Sequence, residues 1–489
     1  MKSENNLRER DKMKTNINRR NFIKQIGSSA AALTLTGCNN NFLSARKQHP
    51  KPNIIFILAD DLGYGDLGCY GQTKIKTPNI DKMAADGIRF TQHYSGSTVC
   101  APSRCCLMTG LHTGHSLIRG NGMVGNEGQP PLLPDTNNIA KILKSQGYKT
   151  ALIGKWGLGN PGSTGEPNKQ GFDHWFGHLC QLQAHFYYSH HLWRNGQKVI
   201  LEKNKNNQKR QYSHDLFTED ALDFIKNNSK NPFFLYLPYT IPHAELIVPE
   251  DSLSQYKGKF PEKPYIGKHY CSQPTPRATS AAMISRMDRD VGKILSLLKK
   301  LGIDENTIVM FSSDNGPHEE GGADPDFFKS YGPLRGIKRD LYEGGIRVPL
   351  IARWPGKIKP GTTSNHISAF WDFLPTCCEL ANAKTPKDID GISFLPSLLG
   401  RDDKQKKHEY LYWEFLERGK ARAVRFANFK AVQKNIAKNP NSPIELYDLK
   451  TDLKEKHNIA DKHPDLVAKT EKYFETAHIE SEDWPFLKK

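Results

Sequence analysis

The stretch Asn53-Ile54-Ile55-Phe56-Ile57-Leu58-Ala59 is an almost unbroken apolar run, rich in β-branched residues, and it ends in Asp60-Asp61. A run without polar alternation reads as a strand buried on both faces, the central position of a parallel sheet. The Gly-rich loop Leu62-Gly63-Tyr64-Gly65-Asp66 follows it. Further along, residues 136–147 have helical apolar spacing and a closing glycine, and residues 149–154 then read as a strand. Residues 232–237 form another buried strand. Residues 281–301 form an amphipathic helix stopped by Gly302, and residues 307–313 form a strand that ends in Asp314-Asn315. Strand and helix alternate, which predicts an α/β fold with a mostly parallel central sheet flanked by helices on both faces. Ligands of such sheets sit beyond the carboxyl ends of the strands, and both acidic pairs fall there. After residue 395 the character changes. Short strands at 410–414, 421–426, 429–432 and 445–449, then a helix near 463–478, predict a small antiparallel α+β subdomain. The expected division is a catalytic α/β domain over 52–395 and a C-terminal subdomain over 396–489.

The chain has 489 residues and a formal net charge of +17. Residues 1–37 hold eight Lys/Arg against three acids, a net of +5, so +12 remains on the rest. A basic body suits a polyanionic partner. Zinc-finger spacing, RNP motifs and a basic zipper are all missing, so nucleic acid is not the expected one. The nine cysteines are odd in number, and Cys105-Cys106 and Cys377-Cys378 are vicinal, which excludes a disulfide scaffold. Asn18-Arg19-Arg20-Asn21-Phe22 before a short apolar run resembles a Tat export signal, and Leu35-Thr36-Gly37-Cys38 resembles a bacterial lipobox. That assigns 1–37 as a lipoprotein signal, Cys38 as the lipidated residue and 38–51 as a flexible tether. The implied partners are the Tat export machinery and a membrane reached through the lipid anchor only. The implied location is exported, in the periplasm or cell envelope.

Asp60, Asp61, Asp314 and Asn315 offer only oxygen ligands, which suits a hard cation, calcium or magnesium, over zinc. Each pair ends a strand, so one sheet edge can bring them together. Cys100-Ala101-Pro102-Ser103-Arg104 continues as Cys105-Cys106-Leu107-Met108-Thr109-Gly110. Cys100 is expected in a loop leading into a helix, with Pro102 in the first turn. Amides of that turn favour an anion, and Arg104 lies one helical turn from Cys100.

This C-x-P-S-R…T-G string resembles the signature of the type I sulfatases, of the alkaline phosphatase superfamily. Gly154-Lys155-Trp156-Gly157-Leu158-Gly159, Thr240-Ile241-Pro242-His243, and the run from Gly332 through Lys338 to Glu343-Gly344-Gly345-Ile346-Arg347-Val348-Pro349 resemble the family's other motifs. The resemblance implies that Cys100 is oxidised to formylglycine by a formylglycine-generating or sulfatase-maturing enzyme. One hydroxyl of the hydrated aldehyde would then attack sulfur. It implies a calcium ion on Asp60, Asp61, Asp314, Asn315 and residue 100. It gives Arg104 the hydrated aldehyde, Lys155 and Lys338 the sulfate, and His243 the proton for the leaving oxygen. The family's usual histidine is Gly157 here, and His185 is the candidate replacement, ahead of His115. His185, His318, Glu320 and Arg119 are the candidates for reading sugar hydroxyls. The implied substrate is a sulfated glycan or small sulfate ester, with exo action on galactose or N-acetylgalactosamine 4-sulfate as the specific form. The competing readings are a phosphatase or phosphodiesterase of the same superfamily and a non-catalytic sulfated-glycan-binding lipoprotein.

Overall fold

The structure, a computed structural model, describes residues 51–486. The export signal, Cys38 and most of the tether therefore lie outside the described residues. The run that opens the fold is β1 (Asn53–Asp60). It is followed by β2 (Ile88–Tyr94), β3 (Lys149–Lys155), β4 (His174–His178), β5 (His191–Arg194) and β6 (Gln197–Ile200). Then come β7 (Phe233–Pro242), β8 (Thr307–Ser313), β9 (Arg347–Arg353), β10 (Thr362–Ser364) and β11 (Ser368–Ala369). These make one sheet in the order β10-β2-β9-β8-β1-β7-β3-β4-β5-β6, with β11 also on β2. The centre, β8-β1-β7-β3-β4, is parallel throughout, and antiparallel pairs enter only at β9 and beyond β4.

The alternation inside β1 shows why it is apolar on both sides. Ile55, Ile57 and Ala59 join a core with α1 (Pro78–Ala85), α4 (Ser213–Asn228) and the long helix Pro276–Lys300. Ile54, Phe56 and Leu58 face the other way, into a core with α2 (Cys100–Thr109), α3 (Ile139–Ser145) and the helix Phe373–Ala381. Each fully buried side chain of this kind contributes about 1.5–3 kcal/mol relative to exposure. That burial on both faces fixes β1 at the sheet centre.

The C-terminal strands β12 (Leu411–Phe415), β13 (Ala421–Phe426), β14 (Phe429–Lys434) and β15 (Ile444–Asp448) form a separate antiparallel meander, followed by the helix Pro464–Thr476. One face of the meander packs Trp413, Ala423 and Val432 against Tyr94, Val99 and Cys106 of the main body. The meander and the large sheet lie in one compact unit. The eight described cysteines are all free thiols.

Two boundaries differ from the sequence reading. The long helix begins at Pro276, earlier than 281, because proline is tolerated in a first turn, where no N–H partner is needed. Cys100 lies in the helix itself, as the first residue of α2 after Val99, and not in the preceding loop.

Candidate active site

Four neighbouring parallel strands deliver the site to one sheet edge. Asp60 ends β1 and Asp61 follows it, Lys155 ends β3, His243 follows β7, and Asp314 and Asn315 follow β8. Asp60, Asp61, Cys100 and Asp314 each present a ligand atom within 4.8 Å of the others, and all four are buried. The structure thus brings the two distant acidic pairs together. Asn315 adds a direct observation. Its Nδ2 donates to Asp61 Oδ1 at 2.7 Å, while its Oδ1 is buried with no hydrogen-bond partner. An orphaned buried carbonyl costs about 1–3 kcal/mol, and a hard cation coordinated beside three carboxylates would satisfy it. The donors fit such a cation.

The P-S-R segment locks α2 onto this edge. Ser103 Oγ donates to the Asp314 carbonyl at 2.6 Å and accepts from Gly96 N–H. Arg104 is fully buried. Its Nε and Nη2 both donate to Asp314 Oδ2, at 3.1 and 2.7 Å, and its Nη1 donates to the Lys155 carbonyl at 2.8 Å. Nη2 also lies 3.4 Å from Asp60 Oδ1. Cys100 Sγ sits 3.5 Å from that same oxygen. Arg104 therefore braces the carboxylates that surround Cys100. Burial pushes the Cys100 thiol far up, against the opposing pull of Lys155 and Lys338.

The two lysines stand over the carboxylates. Lys155 Nζ donates to Asp60 Oδ2 and Lys338 Nζ to Asp61 Oδ2, each at 2.7 Å. Burial alone would lower Lys338, but Asp61 and its neighbours raise it above the usual lysine range. Its loop is held by Lys338 N–H to the Pro317 carbonyl and by a close approach of glycines. Gly316 N–H donates to the Gly345 carbonyl, and a Cβ on Gly316 would meet the Gly344 oxygen at 2.0 Å. Cβ atoms on Gly344 and Gly345 would likewise meet the Gly336 and Asp340 carbonyl oxygens, at 2.2 and 2.0 Å, so none of the three glycines has room for a side chain. Glu343 and Arg347, 3.1 Å apart, belong to a buried network with Tyr94, Lys430 and Glu455 that ties the meander to the main body.

Lys338 Nζ also reaches His243 Nε2 at 2.8 Å. Nε2 accepts there, so the ring's proton is assigned to Nδ1, which faces the Ala244 carbonyl. Burial, with His185 and Lys338 adding to it, holds His243 well below the usual histidine range. His243 is sandwiched between two imidazoles. His185 stacks at 4.0 Å and His318 at 5.2 Å.

The sugar-reading candidates separate. His185 is in the site, with Tyr270 Oη 3.3 Å from its Nδ1. Glu320 is there too, bonded to Arg339 at 2.6 Å and to Tyr270 at 3.1 Å. Burial would raise it, but Lys338, His318 and Arg339 pull it down to about 2. His318 is adjacent but spent. Its Nδ1 accepts from Glu320 N–H and its Nε2 donates to the Pro242 carbonyl, so it props the loops and has no atom left for a sugar. Arg119 does not join them. Its guanidinium donates to the Ser116 and Ile479 carbonyls and faces Glu414, fastening the C-terminal segment. His115 lies past the other end of α2, paired with Asp390 at 2.8 Å beside His112. His112 Nδ1 accepts from Gly114 N–H, so its Nε2 carries the proton and is not a metal donor. Sequence reading missed Tyr270 and Arg339 as site residues. A tyrosine in a loop 50 residues before Glu320 carries no local signal, and Arg339 reads as one solvated cation among several.

A family model described as Sulfatase matches residues 52–383, and one described as N-sulphoglucosamine sulphohydrolase, C-terminal, matches residues 337–477. The N-acetylgalactosamine-6-sulfatase of Canis lupus familiaris is 34% identical over 373 residues, which is 71% of this chain and 66% of that protein. The N-acetylgalactosamine-6-O-sulfatase of Bacteroides thetaiotaomicron is 31% identical, over 90% of this chain and 96% of that protein. Among solved structures, Ps i-CgsB in complex with k-i-k-neocarrahexaose superposes with a TM-score of 0.74 at 30% identity, covering 87% of this chain and 92% of that one.

Proposed function

We propose, from the premise that this chain belongs to the sulfatase family of sulfuric ester hydrolases in the alkaline phosphatase superfamily, that it removes sulfate from a sulfated glycan. The observation that carries this is the convergence, at one sheet edge, of Cys100 on a helix N-terminus with Asp60, Asp61, Asp314, Lys155, Lys338 and His243. Formylglycine at position 100 would supply an oxygen nucleophile, and a divalent cation, calcium first, would neutralise negative charge beside it. Asp60, Asp61, Asp314 and the orphaned Asn315 oxygen would hold that cation. Arg104 keeps the carboxylates and residue 100 in register. Lys155 and Lys338 supply the positive charge that a sulfate and its transition state need, fixed in place before the reaction. Lys338 Nζ donates to His243 Nε2 at 2.8 Å, so the proton between them is one that this pair would pass to the departing alcohol.

The cation cluster contains no histidine among the described residues, which disfavours the zinc chemistry of the phosphatase alternative. For the sugar, both N-acetylgalactosamine sulfatases above act at the 6 position. We therefore place 6-O-sulfated galacto-configured sugars ahead of the 4-sulfate suggested by sequence. A cavity of about 340 Å³ is lined by Phe186 and Glu245, near neighbours in sequence of His185 and His243, together with Tyr188, His190 and Lys209, and would offer room for a neighbouring sugar. Sulfate release from 6-sulfated and 4-sulfated N-acetylgalactosamine, with a phosphate ester as control, tests the activity. Mass spectrometry of the Cys100 peptide from the native host tests the modification. Unmodified cysteine throughout, with no sulfate released, would refute the proposal. We extend it to an exported lipoprotein anchored through Cys38. No helix among the described residues is long and apolar enough to cross a membrane. Fatty-acid labelling that persists in a Cys38→Ala variant would overturn the anchor.

A further inference from the structure

Two residues beyond Lys155 the chain makes a turn that only glycine fits. Gly157 has φ +83°, and a Cβ built on it would lie 1.9 Å from Gln181 Nε2. The Gln181 carboxamide thus fills the space that a side chain at position 157 would occupy. The placement is held by backbone. Lys155 pairs with His178 across β3 and β4, Trp156 N–H donates to the His178 carbonyl, and Gly157 N–H donates to the Leu179 carbonyl. Gln181 then follows two residues later, against the turn that leaves the lysine bonded to Asp60.

Gln181 is 7% exposed, and both its Oε1 and its Nε2 are buried without a partner. A carboxamide has two donors and an acceptor, and leaving all of them unmade is a cost that native structures keep only for a reason. His178 is also unpartnered, but its ring packs against Phe217 at 5.8 Å inside the core. Gln181 is the orphan beyond the carboxyl end of β4, with its amide against the Gly157 turn that follows Lys155.

We propose that Gln181 is a substrate-contact residue, its Nε2 donating to a sulfate oxygen held by Lys155 while its Oε1 accepts from a hydroxyl at the reacting centre. This rests on the sulfatase reading above. Sulfate oxygens accept and cannot donate, so an NH₂ group matches them. An amide does not take up a proton near neutral pH, so Gln181 positions the sulfate without serving as a base.

The test uses the full chain with calcium present and inorganic sulfate as probe. Gln181→Met keeps length and removes both polar atoms. It should weaken inorganic sulfate binding, measured by calorimetry, and lower kcat/KM about 10- to 100-fold, the range for a buried hydrogen bond to a charged group. Gln181→Glu should weaken both further, with the loss easing at low pH as the carboxyl protonates. Gly157→Ala, which pushes on the amide from the other side, should reproduce the Gln181→Met loss. A purely structural role would shift unfolding midpoints and leave sulfate affinity and the pH profile unchanged. Unchanged sulfate affinity in folded Gln181→Met overturns the proposal. The sulfate-binding arm decides this even if the wild type hydrolyses no sulfate ester, which would instead refute the proposed function.

Discussion

Arg104→Met is the sharpest probe of how the site is built. The substitution keeps chain length and most of the volume, so little cavity forms. It removes two charge-assisted bonds to Asp314 Oδ2, at 2.7 and 3.1 Å. At about 1.5–3 kcal/mol each, the loss sums to about 3–6 kcal/mol. Breaking one partner out of a buried ion pair costs about 3–5 kcal/mol by direct precedent, so about 3–5 kcal/mol is expected. The Lys155 carbonyl also loses its Nη1 donor, while Asp60 keeps Lys155 and Asp314 Oδ1 keeps the Asp61 N–H. The pH dependence has a definite sign. Burial, with Asp60 adding to it, already raises Asp314, and Arg104 opposes the rise. Without Arg104 the folded-state value climbs further above the unfolded one. A raised carboxyl destabilises the fold above its folded-state pKa, and protonation relieves that as pH falls through it. The difference between wild type and variant should therefore shrink on acidification. Urea unfolding followed by tryptophan fluorescence, without added cation, measures it at several pH values. A loss under about 1 kcal/mol at neutral pH, or one that grows on acidification, would refute the brace.

Three other outcomes follow from the same geometry. Asn315→Ala removes the orphaned oxygen and should weaken calcium binding roughly 10- to 100-fold, comparable with losing a supporting contact in a metal site; calorimetry with unchanged affinity would exclude Asn315 as a ligand. Arg119→Ala should lower stability by about 1–3 kcal/mol through its lost carbonyl bonds. Its kcat/KM on a sulfated monosaccharide should match wild type, and a selective KM effect would restore Arg119 as a sugar reader. His408 lies 2.7 Å from Asp372, which raises its pKa although burial opposes it. That stability is present below the unfolded pKa and disappears as pH rises through the folded one; a His408→Asn variant should flatten this part of the profile in denaturant titrations.

How far the site was legible depended on where each residue's constraint lies. β1 and β8 could be read because burial on both faces leaves an unbroken apolar run, and their carboxyl ends fix Asp60, Asp61, Asp314 and Asn315 at one edge. Lys155, His243 and Lys338 came from motif resemblance and landed within 2.7–2.8 Å of a partner in the site. Arg119 and His318 are taken up for a common reason. Each is a polar side chain near a motif, but its partners are backbone groups that the sequence does not mark: two carbonyls for Arg119, and the Glu320 N–H and Pro242 carbonyl for His318. One of those carbonyls, Ile479, lies 360 residues away from Arg119. Gln181 was invisible because its evidence is a vacancy at another position. Gly157 reads as a missing side chain, and only the fold shows what fills the space.

The site's electrostatics divide labour between its cations. Asp60, Asp61 and Asp314 face Arg104, Lys155 and Lys338, three negative groups against three positive ones, all buried. Arg104 is planar, multidentate and does not deprotonate, so it suits a permanent brace. Each lysine has a single flexible ammonium, and each bonds one carboxylate oxygen. The carboxylates would hold a divalent cation, whose charge would compete with the lysines for those oxygens and free ammonium charge for a sulfate. Cation and sulfate would then favour one another's binding through the same two lysines, with equal coupling in both directions. Arg104 is the one cation this exchange would not need to release, which is consistent with its two bonds to Asp314 Oδ2 and its bond to the Lys155 carbonyl.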